Sequence, residues 1–116
     1  MKIEISMEGG SRRIRGLRSY IERRVHSVFH CFADRIASIK VRIAEFNEPR
    51  LGRQNETQVR VKLFPSAVSI TQTTRLPNAF AAVDHATDCI GRFVSQQFAR
   101  RASRSLHTLP KYEDAA

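Results

Sequence analysis

The sequence has no tryptophan, only two tyrosines and two cysteines, and just eleven acidic residues among 116. Each shortage excludes something. Two cysteines, Cys31 and Cys89, cannot build the disulfide framework of a small secreted domain, and they suit a reducing compartment in which both stay thiols. No apolar run approaches the roughly 18 residues that a membrane span requires, and no charged-then-apolar secretion signal opens the chain. The expectation is a cytoplasmic protein with no membrane partner. Also missing are a Gly-rich phosphate loop with its Lys and Ser or Thr, a GxSxG elbow and an HExxH helix. No catalytic residue, cofactor or small-molecule substrate is therefore expected, and the chain reads as a non-enzyme.

What the sequence does have is positive charge. Twenty Lys and Arg against eleven Asp and Glu leave +9, and sixteen of the twenty are Arg. Arg carries a planar fork suited to phosphate, whereas Lys is closer to a point charge. A net charge so far from neutral works against compactness through self-repulsion, so a polyanionic partner is the economical explanation. Solubility alone would be served equally well by acidic residues.

The patterning predicts α+β architecture in the order β-α-β-β-β-α. Residues 2–7 alternate, with Ile3, Ile5 and Met7 on one face. Gly9-Gly10 breaks this strand, and a helix is expected from Ser11 or Ile14 to Phe32 on the stripe Leu17, Ile21, Val25, Val28 and Phe32. Gly16 inside it costs about 1 kcal/mol against Ala and predicts a frayed first turn. Period two returns at 36–46, where Ile39, Val41 and Ile43 point inward. Residues 47–55 read as an exposed hairpin loop, 56–64 as a strand burying Val59, Val61 and Leu63, and 67–73 as a strand burying Val68 and Ile70. Asn78 is an N-cap candidate for a closing helix whose buried stripe is Phe80, Val83, Thr87, Ile90 and Val94, with Ala79 and Ala86 beside it. The stretch after about Arg104 lacks periodicity. One domain over 1–104 and a loose tail over 105–116 follow. A first strand joined through a helix to the second favours a parallel pair, and the next two continue antiparallel. The result is a four-stranded mixed sheet with two helices packed on one face.

Location sorts the cations. Arg100, Arg101 and Arg104 near the end of the last helix complement its macrodipole by roughly 0.3–1 kcal/mol each. Arg12, Arg13 and Arg15 are expected at the amino end of the first helix, where the same interaction is unfavourable unless an anion binds. On the open sheet face Lys40 and Arg42 should neighbour Arg60 and Lys62, a destabilising grouping of like charges that phosphate would relieve. Arg18, Arg23 and Arg92 extend a basic surface over the helices, and Arg50 and Arg53 extend it into the hairpin. Without Trp, and with the two Tyr and seven Phe mostly in apolar stripes, no platform for stacking bases is expected, which favours backbone contact over base reading. His26 and His30 with Cys31, and His85 with Cys89, have helical ligand spacing but face outward on different helices, so no metal site is expected. Asp84 and Asp88, an i, i+4 pair near a helix start, are accounted for by the dipole.

The ordered set of the helix LRSYIERRV followed by DRI, the strands IKVRI and VRVKL, the hairpin NEPRLG and the helix NAFAAVDHATDCIGRFV resembles the ribosome hibernation-promoting and ribosome-associated inhibitor family, often labelled sigma-54 modulation proteins. The likeness covers roughly residues 1–104 and corresponds to a short form without a pairing domain. It implies a partner, the small ribosomal subunit and its ribosomal RNA. There such a protein occupies the channel of messenger and transfer RNA and blocks translation under stress. By that resemblance Arg92, Arg100, Arg101 and Arg104, with Arg18 and Arg23, contact RNA. The chain departs from the family where lysines are common, at Cys89, Ser95, Gln96 and Gln97, and in the loop RQNET. A general structured-RNA-binding module and a sigma-54-type transcription-modulating interaction protein are the alternatives. Oligomeric state is left open.

Overall fold

The structure, a computed structural model, describes residues 1–107, of which 101–107 contribute helical backbone only. Strand β1 spans Lys2–Glu8, followed by a 3-10 helix Gly9–Arg13 and helix α1, Leu17–Phe29. A second 3-10 helix, His30–Arg35, leads into β2, Ile36–Glu48; then come β3, Gly52–Leu63, β4, Ser69–Leu76, and α2, Ala79–His107. The sheet order is β1-β2-β3-β4. β1 runs parallel to β2, with Ile3 opposite Ile39 and Ile5 opposite Val41. The other two pairs are antiparallel, with Val41 opposite Val59 and Val61 opposite Ile70. The expected α+β fold and its mixed sheet are present.

Alternation explains why the strands bury one face. Ile39, Val41 and Ile43 on β2 and Val59, Val61 and Leu63 on β3 are essentially fully buried. They pack with Leu17, Ile21, Val25 and Phe29 of α1 and with Val83, Ala86, Ile90 and Val94 of α2 in one core. Each such side chain contributes roughly 1.5–3 kcal/mol on burial. The Asn78 cap forms as expected: its Oδ1 accepts from the Ala81 N–H at 3.1 Å.

Five expectations are corrected. The first helix begins at Leu17, because Gly16 takes a left-handed conformation (φ +76°) that ends any helix running through it. Residues 9–13 form a separate turn, held by the fully buried Ser11 hydroxyl against the carbonyl oxygens of Glu8 (2.5 Å) and Ile43 (3.2 Å). The α1 stripe keeps a step of four to Phe29, leaving Val28 and Phe32 half-buried. Most of 47–55 is strand, not loop. β2 and β3 pair out to Glu48 and Gly52, and Gln54 and Asn55 are buried. β4 starts at Ser69 and Val68 is 43% exposed, since Ala67 turns the chain with φ +62°. α2 reaches His107, three residues into the expected tail; the remainder of that tail, 108–116, lies outside the described residues.

α1 and α2 are joined by polar contacts that composition does not announce. The Tyr20 hydroxyl donates to the Asp84 carboxylate, which holds its pKa above the ordinary tyrosine value. Arg24 donates from Nη2 to Asp88, and its Nε lies 3.2 Å from Asp84. Tyr20 also meets Phe80 edge to face, with ring centroids 5.1 Å apart. Gly91 allows the helices to approach closely: a Cβ there would stand 2.6 Å from Val28 Cγ1.

Candidate nucleic-acid interface

The outer face of the sheet is built by the alternate residues of the strands that bury the core. Register places Lys40 directly opposite Arg60, Ser38 opposite Lys62 and Arg42 opposite Gln58. The four basic residues are therefore neighbours, as the alternation requires. Carboxylates from β1, not foreseen in the sequence reading, interleave with them. Glu8 accepts from Arg42 Nε (3.0 Å) and Nη2 (2.9 Å), and this bidentate contact holds its carboxyl below the usual 4.5. Glu4 lies 3.3 Å from Lys2 and 4.0 Å from Lys40. At the far end Arg75 pairs with Glu56 at 3.4 Å and sits over the Phe46 ring at 5.3 Å. Arg60 makes a long contact with Thr71 Oγ1 (3.4 Å), and Arg60 and Lys62 have no ion-pair partner among the described residues. A depression of about 350 Å³ lies between Glu4, Ser6, Lys40, Arg42, Gln58 and Arg60.

The arginines after β1 sit differently from the sequence expectation. Arg12 and Arg13 are in the last turn of the 3-10 helix, and Arg15 precedes the Gly16 cap, so none lies in the first turn of α1. The dipole argument for these three therefore falls. What replaces it is composition: from Gly9 to Ile21 the chain has no carboxylate at all. Arg12 Nε donates to the Met7 carbonyl at 2.8 Å and Arg18 Nη2 to the Ile5 carbonyl at 3.4 Å, so both lean on edge strand β1 while remaining exposed.

On the helices, Arg23 is exposed beside Tyr20, Arg24 and Ser27. Arg92 lines a groove of about 590 Å³ between the helices, with Val28, Phe32, Asp88, Gly91, Ser95 and Gln96. Arg100 is exposed, and Arg101 and Arg104 are placed on the α2 backbone. Because α2 continues to His107, Arg100 and Arg101 lie short of its last turn, and the macrodipole no longer explains them. The candidate residues fall on two surfaces. Lys40, Arg42, Arg60 and Lys62 share the sheet face, while Arg23 and Arg92 belong to the helix layer. Arg50 is exposed in the β2–β3 turn, and Arg53 pairs with Glu45 at 3.1 Å.

The histidine–cysteine pairs stay apart. Cys89 Sγ is 3.8 Å from His85 Nε2, whose ring also meets Thr74 Oγ1 at 3.0 Å; Cys31 Sγ is 3.5 Å from His30 Nε2. Among the described residues no group of three or more His, Cys, Asp or Glu is placed to hold a metal ion. Nor is any described helix long and apolar enough to cross a membrane. Two features went unread in the sequence. Arg24 joins Asp84 and Asp88 across helices, for which the acid spacing was the only signal. Phe93, outside the expected buried stripe of α2 and given no role in the sequence, is 55% exposed.

No family model matches the chain, and no curated protein matches it. Solved structures do. A ribosomal subunit interface protein from Coxiella burnetii superposes with a TM-score of 0.67 at 20% identity, covering 85% of this chain and 99% of that one. The N-terminal domain of Protein Y from Thermus thermophilus gives 0.64 at 17% identity, covering 83% and 98%. This chain has their fold. At these identities the likeness extends to the arrangement of sheet and helices over nearly the whole of each neighbour, with few side chains in common.

Proposed function

We propose that this chain is a non-enzymatic, ribosome-associated translation inhibitor of the hibernation type, working in the cytoplasm without a cofactor. In this reading the domain of residues 1–104 binds the small ribosomal subunit through ribosomal RNA in the channel of messenger and transfer RNA. The observation that carries it is a surplus of arginines, several of them without carboxylate partners among the described residues, displayed on a fold shared with a ribosomal subunit interface protein. Arg12, Arg13, Arg15, Arg18, Arg23, Arg92, Arg100, Arg101 and Arg104 form the principal contact set, and Lys40, Arg42, Arg60 and Lys62 a secondary one. Guanidinium groups on a rigid two-layer scaffold suit phosphate oxygens, and the absence of a catalytic constellation in the sequence leaves occupancy as the means of inhibition.

The test is sedimentation with purified small subunits, with and without bound message and initiator tRNA. The expected result is stoichiometric co-sedimentation that channel occupancy abolishes. If about six to ten phosphates are contacted, affinity falls on the order of a thousandfold between 50 and 200 mM salt. One observation favours a second reading, a general structured-RNA module: the middle of α2 presents Cys89, Ser95, Gln96 and Gln97 around Arg92, a weakly charged surface for a channel lined by phosphate. Binding indifferent to channel occupancy decides for that module. Binding insensitive to salt decides for a protein-interaction role of the sigma-54-modulating kind.

A further inference from the structure

Among the described residues, the large apolar side chains left exposed inside the chain are Leu51, Phe64, Val68 and Phe93. The first three sit in turns or beside them. Phe93 is different: it lies in the middle of a helix, where any polar residue would serve the fold, yet an aromatic ring is 55% exposed. A single exposed apolar residue is ordinary on a protein surface, so its surroundings decide its meaning. Phe93 borders a depression of about 230 Å³ whose other walls are Cys89, Arg92 and Gln96. Gln97 and Arg100 follow at helical spacing on the same helix. None of these is acidic. The nearest acid along the helix, Asp88, is engaged by Arg24. An aromatic face, a guanidinium and a side-chain amide therefore meet at one small concavity free of negative charge.

We propose that this concavity takes one unpaired nucleobase of RNA. In it Phe93 stacks on the base, Arg92 contacts the adjoining phosphate and Gln96 hydrogen-bonds the base edge. The site rests on the RNA-binding reading above and sharpens it: one position of the complex is read by stacking, not by charge alone. Phenylalanine stacks on any base, and a glutamine amide offers both donor and acceptor to a base edge. Duplex RNA keeps its bases out of reach and gives Phe93 nothing to stack on.

The chain has no tryptophan, so the variant Phe93→Trp carries a single indole reporter at the site. The probes are a short single-stranded oligouridylate and a duplex RNA of equal length, both end-labelled so that binding is followed independently by anisotropy. The single strand should quench the indole as it binds, and the duplex should bind without quenching. Phe93→Ala should weaken single-strand binding roughly tenfold with an unchanged salt slope, and leave duplex binding as it was. Arg92→Ala should weaken both and reduce the slope for the single strand by about 0.7. Phe93→Tyr should restore single-strand binding, and matching thermal melts establish that the variants are folded. Single-strand binding with unaltered indole emission overturns the proposal. So does loss of small-subunit binding in Phe93→Ala with oligonucleotide binding intact, which assigns Phe93 to a ribosomal protein. Failure of the unmodified chain to bind both small subunits and RNA takes down the parent reading, a result seen without any variant.

Discussion

On the outer face of the sheet, Glu4, Glu8 and Glu56 stand among Lys2, Lys40, Arg42 and Arg75, each within reach of a cation. Along Gly9–Ile21 and in the outer half of α2, Arg12, Arg13, Arg15, Arg18, Arg92 and Arg100 have no ion-pair partner among the described residues. The difference separates two uses of the same side chain. Exposed ion pairs contribute little, typically 0–1 kcal/mol, but they relieve the like-charge opposition that strand register imposes on Lys40 and Arg60. The cations of the sheet are in that sense partly spent inside the fold. Those of the helix layer gain little from the protein itself, and a polyanion is what would give them a partner.

Mutations should break or sharpen this contrast. Reversing Arg12, Arg13 and Arg15 together to Glu should leave the thermal melt nearly unchanged and weaken small-subunit binding on the order of a hundredfold, with a shallower salt slope, by sedimentation across a salt series. Among the described residues only Arg12 of the three makes a side-chain hydrogen bond, and an exposed one. Reversing Arg60 and Lys62 to Glu should cost less than tenfold in the same assay; a larger loss than for the first triple would invert the ranking of the two surfaces. Arg24 is the helix-layer arginine that is ion-paired, so Arg24→Ala should leave subunit binding within twofold and cost about 1 kcal/mol of stability in urea unfolding. That figure is discounted because Asp84 and Asp88 are more than a third exposed.

The smallest effect belongs to Arg42→Ala. It should raise the Glu8 carboxyl back toward 4.5, followed by NMR titration. Because the folded value lies below the unfolded one, the stabilisation from Glu8 is fully present above about 4.5 and is lost as pH falls through the lowered folded value. Arg42→Ala should therefore flatten the acid limb of the stability curve by slightly lowering stability above about pH 4.5, neutrality included, with the two curves converging at pH below the lowered folded value.

The sequence revealed most of the architecture where patterning is dictated by burial alone. The alternation at Ile39, Val41 and Ile43 and at Val59, Val61 and Leu63 names the inner face whatever packs on it. Asn78 caps α2 through a contact three residues away. The failures have a common cause. Gly16 read as a weak helical residue because propensity gives the cost of glycine in a helix, not its use in ending one. Gln54 and Asn55 read as loop because polar residues enter an interior only when a distant partner accepts them; Asn55 donates to the Pro77 carbonyl, 22 residues on. For the candidate site, the sequence located the cations but not their partners, since Arg42 meets Glu8 from 34 residues away. Phe93 was hidden by position, because it falls on the side of α2 that buries Ala82 and Ala86 nearer its start. At 29 residues the helix runs about 43 Å, against about 26 Å for the eight residues of β4, so its later turns pass beyond the strand that covers the earlier ones.

The bond from Asn55 Nδ2 to Pro77 O, 2.9 Å long, ties strand pairing to helix azimuth. Asn55 shares the inner face of β3 with Thr57, Val59 and Val61, and in the present β3–β4 alignment it lies opposite Leu76. Sliding β4 by a single position along β3 would carry Leu76 and Pro77 away from that amide and release the peptide from which α2 departs. Ladder alignment and the rotational setting of the helix are thus a single mechanical variable. A residue inserted between Phe64 and Val68 would not merely lengthen a turn; it would re-aim every guanidinium that α2 carries.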